Sequence, residues 1–281
     1  MGSAQIAQYN QFPTMQPQHI LDENLENISF ALGMRVLVSD YEGPLIRLRR
    51  STDDEESDFY CGEDDKVDSN AIDTWRGTSN VFVVIWYDQS GLGRNAVQTT
   101  IAFQPQFFPD AALPYFEGNG TSYRLDINTS IQILTDAGAN GTILGLFTAT
   151  RRNQHTFGTL VGRNRWSAHV NWSNGNLFFD PGFCCNNPRN FTNVDGENQW
   201  SQYTMLRGTS TVAVRQNKVT GFSGNHTTGR CTLTNNFGIL YANGGGGYSN
   251  SKMNELIMYK TDISSNVYTE IEENQITFWE L

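Results

Sequence analysis

The sequence contains no apolar run long enough to cross a membrane as a helix. Its longest continuous apolar stretch is residues 81–87, whereas a spanning helix needs about 20 such residues. The first ten residues also lack the basic start and apolar segment of a secretory signal, and Ile6 stands where N-myristoylation requires Ser or Thr. We therefore expect no membrane span and no signal peptide.

Basic residues are scarce. The chain has 19 Lys and Arg against 29 Asp and Glu, which gives a formal net charge of −10. Because binding to nucleic acid depends on Lys and Arg that meet phosphates, this balance argues against a nucleic-acid partner. Most of the excess lies in residues 53–68, where nine acidic residues accompany the single Lys66.

We interpret this acidic segment as a solvated loop that is neutralised locally by Arg47, Arg49 and Arg50. The alternative is a site for calcium or for a basic partner, since calcium is bound by carboxylate and carbonyl oxygens. The candidate calcium ligands are Asp53, Asp54, Glu55, Asp64 and Asp65. We expect no other cofactor.

Cysteine and histidine are also few, with four of each. Cys61, Cys184, Cys185 and Cys231 do not have zinc-site spacing, and the histidines are scattered along the chain. Neither a zinc site nor a nucleophile triad is predicted. We expect the adjacent Cys184 and Cys185 to be structural or reduced.

Short apolar runs separated by turn residues make up the rest of the chain, which is typical of an all-β protein. Eight positions in the strongest runs should be inside, namely Val83, Ile85, Ile143, Leu144, Phe147, Val212, Val214 and Ile257. Near the C-terminus, Ser264 or Ser265 can cap a helix with Val267, Ile271 and Phe278 on one face. We predict a two-sheet jelly-roll sandwich with a short C-terminal helix, formed as one domain by residues 26–281. The polar, Gln-rich residues 1–25 should form an extended tail.

A turn-rich corner follows the most apolar run, in the segment 85–97. Trp86 ends the run, and Asp88, Gln89, Ser90 and Gly91 have the side chains and backbone freedom of a tight reversal. We expect a structural role for this corner, with its side chains bonded to backbone groups rather than to a ligand.

This corner, together with residues 41–53, resembles the N-terminal part of the arabinofuranosidase B catalytic domain. The same motifs open a group of concanavalin A-like (laminin-G-like) jelly-roll proteins of phages, large DNA viruses and bacteria. Segments 166–182 and 254–259 resemble the aromatic hairpin and the closing strand of that second group. The resemblance implies a concanavalin A-like fold over roughly residues 30–281, with a short helix in residues 29–38.

The resemblance also implies where catalytic carboxylates would lie. The acid/base loop of the enzyme family corresponds to residues 243–247, and the surroundings of its nucleophile correspond to residues 174–178. Neither segment contains Asp or Glu. A glycosidase of this type needs two carboxyl groups, so the chain is expected not to be an enzyme.

Without catalytic carboxylates, two other functions are compatible with the sequence. Trp166, Trp172, Tyr241 and Tyr248 could form an aromatic platform for a cell-surface or other glycan, as in a carbohydrate-binding module. The favoured prediction is a virion structural protein, a minor capsid, vertex or fibre-associated component made in the host cytoplasm. Its tail would contact other virion proteins within an oligomeric assembly. A glycoside hydrolase is the least favoured function.

Overall fold

The computed structural model describes residues 19–109, 113–149, 154–170, 172–185, 188–193, 195–226, 229–245 and 247–281. Residues 1–18, most of the predicted tail, lie outside this part. None of the helices in the described residues is long and apolar enough to cross a membrane.

The first half of the described chain forms β1 (Ile28–Gly33), β2 (Ile46–Arg50), β3 (Glu56–Phe59), α1 (Ser69–Arg76), β4 (Val81–Trp86), β5 (Ala96–Val97), a 3-10 turn (Ile101–Phe103), β6 (Gln106–Phe108), β7 (Tyr115–Glu117), β8 (Leu125–Ser130), α2 (Ile131–Leu134) and β9 (Gly141–Thr148). The second half forms β10 (Phe157–Val161), β11 (Asn164–His169), β12 (Asn176–Phe183), β13 (Asn190–Thr192), β14 (Trp200–Arg207), β15 (Thr211–Gln216), β16 (Val219–Asn225), β17 (Asn236–Ile239), β18 (Lys252–Tyr259) and α3 (Ser265–Phe278).

These strands build an antiparallel sandwich, which confirms the predicted fold class. The first sheet has the order β5-β8-β17-β10-β11-β12-β13. The second contains β6, β7, β18, β9, β14, β15 and β16, with β1 also paired to β18. Strand β4 pairs with β5 and with β6, so it joins the two sheets.

Aromatic side chains from both sheets fill the space between them. The Phe147 and Phe157 rings lie 6.0 Å apart, and those of Phe30 and Phe237 lie 5.9 Å apart. Of the eight predicted core residues, all are at most 1% exposed except Ile85, which is half-buried. Leu144 and Ile257 belong to a second cluster that includes Ile271 of α3. Helix α3 therefore covers the outer face of the second sheet, as a lid.

Two expectations about the N-terminal region are wrong. Residues 28–33 form strand β1 rather than a helix, because they are almost wholly buried and pair with β18. Packing also begins before residue 26. Ile20 and Leu21 are buried in the second cluster, and the Leu21 amide donates to the Leu37 carbonyl at 3.0 Å.

The corner after β4 is held by two buried polar side chains. Oxygens of Asp88 accept from the backbone amides of Ala31, Ser90 and Arg94 at 2.8 to 3.0 Å. Gln89 accepts from the Leu37 amide and donates to the Arg35 carbonyl, both at 2.8 Å. The corner thus ties β1 and the segment after it to β4. Trp86 is fully buried beside Phe116, and Gly91 has the positive φ of a tight turn.

Candidate functional site

The outer face of the first sheet carries a continuous row of aromatic and imidazole rings. We call it the aromatic strip, and its members are Tyr241, Tyr248, His155, His169, Trp172 and Phe178. The register of the sheet explains the positions of His169 and Phe178. His169 of β11 lies directly opposite Phe178 of β12, on the face away from buried Ala168 and Phe179.

The loop after β17 contributes Tyr241 and Tyr248 to the strip. Tyr241 and Tyr248 face each other across this loop, with stacked rings 5.6 Å apart. Tyr248 forms a parallel bridge with His155, and the His155 and His169 rings are 3.6 Å apart. Trp172 follows at 4.4 Å from His169. The strip therefore crosses from the loop to the β11-β12 hairpin without a break.

Both strip histidines are buried and neutral. Burial is the main cause that lowers the pKa of His155, with His169 and Arg165 acting in the same direction. Burial also lowers the pKa of His169 to about 3, and Arg165 and Arg189 add to the shift. The histidine rings are therefore enclosed, while Tyr248 and Trp172 on either side of them are half-exposed and can contact the C–H face of a sugar.

Charged groups lie at both ends of the strip. Near Tyr241, Asp126 Oδ1 accepts from the tyrosine hydroxyl and from Asn243 Nδ2. The Arg124 guanidinium lies 5.6 Å from the Tyr241 ring centre. At the other end Arg189 lies 4.6 Å above Phe178.

A second polar group lies beside Phe178. Asp180 is buried between Arg189 at 3.3 Å and Arg165 at 3.8 Å. Burial raises the pKa of Asp180, and the two arginines oppose that shift. Ser167, directly opposite Asp180 in the sheet, is fully buried, and its hydroxyl has no hydrogen-bond partner in the described residues.

Three of the four predicted platform residues are in the strip, and Trp166 is not. Trp166 is fully buried between the sheets, where its ring packs on Phe179 at 5.1 Å. Its indole nitrogen donates to the Ala139 carbonyl at 3.3 Å. It points to the opposite face of β11 from His169, so it cannot contact a glycan on the strip.

Four of the nine acidic residues in the acidic segment pair with the arginines that were expected to neutralise it. Arg47 pairs with Asp58 at 2.6 Å, and Arg49 pairs with Asp54 at 2.7 Å. Arg50 pairs with Asp53 at 2.7 Å and with Glu55 at 2.5 Å. Asp64 lines a separate cavity of about 500 Å³, and Asp65 lies 3.7 Å from His19. The five proposed calcium ligands do not converge on one point, so calcium remains an untested prediction.

Cys184 and Cys185 form a disulfide with each other, while Cys61 and Cys231 are free. Together with Asp180 the pair makes up the one group of three metal-ligand side chains that lie close together in the described chain. The disulfide removes both thiolates from metal binding. Arg189 Nη1 lies 3.8 Å from the Cys184 sulfur, so the disulfide borders the Asp180 group.

Comparison with solved structures places the fold among carbohydrate-active enzymes. An arabinofuranosidase complexed with arabinofuranosyl-alpha-1,2-xylobiose matches 94% of this chain with a TM-score of 0.70 and 16% identity. A GH54 a-l-arabinofuranosidase soaked with a cyclic sulfate inhibitor matches the same share with a TM-score of 0.69 and 15% identity. This chain covers 65% of the length of each of those chains. No family model and no curated relative matches.

These matches agree with the concanavalin A-like sandwich implied by the sequence. They contradict the prediction of a virion structural protein without enzymatic activity, because the solved structures that share the fold are glycoside hydrolases. Nothing in the comparison points to a virus particle. The absence of Asp and Glu from segments 174–178 and 243–247 does not exclude a catalytic carboxylate elsewhere in the chain.

Proposed function

We propose that this chain is a glycoside hydrolase that binds a polysaccharide across the aromatic strip. Two groups of rings carry the proposal, the stacked pair of Tyr241 and Tyr248 and the contact among His155, His169 and Trp172, and a backbone bridge between Tyr248 and His155 brings them together. The half-exposed members of the strip, Tyr248, Trp172 and Phe178, offer ring surfaces that can pack against sugar C–H groups. The likeness in fold to arabinofuranosidases supports a substrate with arabinofuranosyl side groups.

Asp126 is our candidate for the carboxylate that acts at the strip. Its Oδ1 is occupied by Tyr241 and Asn243, whereas Oδ2 has no hydrogen bond within the described chain. A half-buried carboxylate with one oxygen available can act as nucleophile or base. The Tyr241 hydroxyl fixes its orientation.

Glu117 is our candidate for the proton donor. It ends β7 opposite Lys252 of β18, and the loop that follows it reaches the strip, because the Gly120 amide donates to the Ser249 carbonyl, next to Tyr248, at 3.3 Å. Gln154, adjacent to His155, donates to the Gly120 carbonyl of the same loop at 3.2 Å. Burial raises the pKa of Glu117, and Lys252 partly opposes it. A raised pKa keeps a carboxyl group protonated for donation.

The test is release of sugar from nitrophenyl arabinofuranoside, arabinoxylan and β-glucan. We expect turnover on at least one substrate and a loss of about 100-fold or more in kcat for Asp126→Asn and for Glu117→Gln. Asp262→Asn, an exposed carboxylate before α3, is the matched control and should retain activity. Full activity in Asp126→Asn would remove that residue from the mechanism. Glycan binding without turnover on any substrate would leave a carbohydrate-binding protein.

A further inference from the structure

Positive charge is concentrated in the part of the chain that builds most of the strip. Residues 120–235 contain ten Lys and Arg against five Asp and Glu, although the whole protein has a net charge of −10. The remaining residues contain nine basic and 24 acidic side chains. Of these ten cations, Arg207, Arg215 and Lys218 belong to the β14-β16 part of the second sheet. The positive charge near the strip therefore comes from Arg124, Arg165 and Arg189.

Arg124 brings an unneutralised charge to the Tyr248 end. Its guanidinium lies 3.9 Å from the Phe103 ring centre and 5.8 Å from that of Tyr248. Its Nη1 donates to the Ser122 carbonyl at 3.2 Å, and it has no carboxylate within ion-pair distance in the described chain. The side chain is half-buried, so the ring contacts hold it in place while part of it meets solvent.

Arg189 brings positive charge to the Phe178 end. It shares the single carboxylate of Asp180 with Arg165, which leaves one positive charge in excess. Arg189 Nε and Asp180 Oδ2 are buried and make no hydrogen bond within the described residues, and the same holds for the neighbouring Ser167 hydroxyl. Of these groups only the Arg189 guanidinium, whose side chain is partly exposed, can donate to an anion.

Several arginines elsewhere are paired with carboxylates, whereas Arg94 and Arg163 donate to backbone carbonyls. In the β2-β3 hairpin, Arg47, Arg49 and Arg50 each have at least one carboxylate of their own. Arg215 pairs with Glu272 at 2.8 Å.

We propose that the glycan is anionic and that its carboxylate or sulfate groups lie against Arg124 at one end of the strip and Arg189 at the other. This inference depends on the proposed glycan site. A guanidinium offers a planar pair of donors that matches a carboxylate or sulfate, and both arginines are held in place by an aromatic ring.

The test is calorimetric titration of the whole protein with three probes at low and high salt. The probes are oligogalacturonate, low-mass dextran sulfate and neutral arabino-oligosaccharide. We expect at least one anionic probe to bind about tenfold more tightly than the neutral one in 0.05 M NaCl. The preference should shrink in 0.5 M NaCl, where the Debye length falls to about 4 Å. The two anionic probes distinguish carboxylate from sulfate, and tight binding of either supports the inference.

Single substitutions test whether Arg124 and Arg189 cause the preference for anionic probes. Arg124→Gln and Arg189→Gln should each lower the anionic-over-neutral ratio about fivefold, whereas Arg189→Lys, which keeps the charge beside Asp180, should retain most of it. Lys218→Gln is the matched control, because Lys218 is exposed and pairs with Glu273 at 2.7 Å on the second sheet. Equal, salt-independent binding of all probes would overturn this inference and leave the glycan site intact. Failure of every probe to bind would overturn both.

Discussion

At the corner after β4, a single side chain makes several hydrogen bonds to the backbone. Asp88 is 5% exposed and accepts three backbone amides and the Ser90 hydroxyl. Sequence alone predicts this role, because Asp, Ser and Gly at a reversal bond to nearby backbone. It does not identify Ala31 as a partner, since that contact spans 57 residues.

Replacing Asp88 by Ala should lower the free energy of unfolding by about 1–3 kcal/mol, because buried amides lose their acceptor. Urea unfolding of the purified protein measures the change. Ser90→Ala removes only one of the four donors and should cost less. Equal stability of Asp88→Ala and wild type would show that water replaces the carboxylate without cost.

The two strip histidines should make stability depend on pH. Their folded pKa values lie below the unfolded value near 6.5, so the unfolded chain takes up protons first as pH falls. The stabilising contribution is full above pH 6.5 and is lost as pH falls toward the folded pKa of His169, about 3. Asp58, whose pKa is lowered chiefly by Arg47, loses its contribution only in stronger acid.

We expect unfolding free energy to fall by about 2 kcal/mol per histidine between pH 6.5 and 4.5. His169→Gln should flatten this slope, and chemical unfolding at four pH values measures it. An unchanged slope in the variant would mean that His169 is protonated in the folded protein.

The positions of the strip residues can be predicted from the sequence only in part. Trp172 and Trp166 are equally aromatic in sequence, yet one is half-exposed and the other is fully buried. Strict alternation would have put Trp166 and Trp172, which are six residues apart, on the same face. A two-residue Asn174-Gly175 turn would have paired His169 with Asp180 rather than with Phe178, its actual partner. His155 could not be found in this way, because a loop from β17 brings Tyr248 to it.

At the scale of elements, β18 and α3 are joined by a buried charge. Glu255 of β18 is fully buried and pairs with Arg35 at 2.9 Å. Gln275 and Trp279, at the end of α3, donate to its two oxygens at 3.0 and 3.1 Å. The sequence predicts the strand and the helix by periodicity. It does not predict the junction, because all three partners are distant along the chain or lie on different elements.

Glu255→Gln should cost about 3–5 kcal/mol of unfolding free energy, since it leaves Arg35 buried without a counter-charge. Glu273→Gln is the matched control on the exposed side of α3, where the pair with Lys218 is worth under about 1 kcal/mol. Thermal and urea unfolding of both variants measure the difference. Similar costs for the two changes would show that the buried pair is not needed.

At the scale of the whole molecule, the second sheet is covered by α3, whereas the first sheet carries the aromatic strip on its outer face. Composition and strand spacing predict the sandwich, because short β runs with turns require a second layer to bury them. They do not predict the strip, which takes residues from β11, β12, the turn between them, the segment before β10 and the loop after β17. A functional site is equally hard to predict from these features, since it is defined by side chains that are neighbours in space rather than along the chain.

A crystal structure of the protein with a bound oligosaccharide tests the glycan site most directly. We expect sugar rings to lie against Tyr248 and Trp172, and a glycosidic oxygen to lie within reach of Asp126. Trp172→Ala, prepared in parallel, should lose the sugar density while the sandwich remains unchanged. Sugar bound on another face, or wild-type crystals that show none at saturating concentration, would contradict the account.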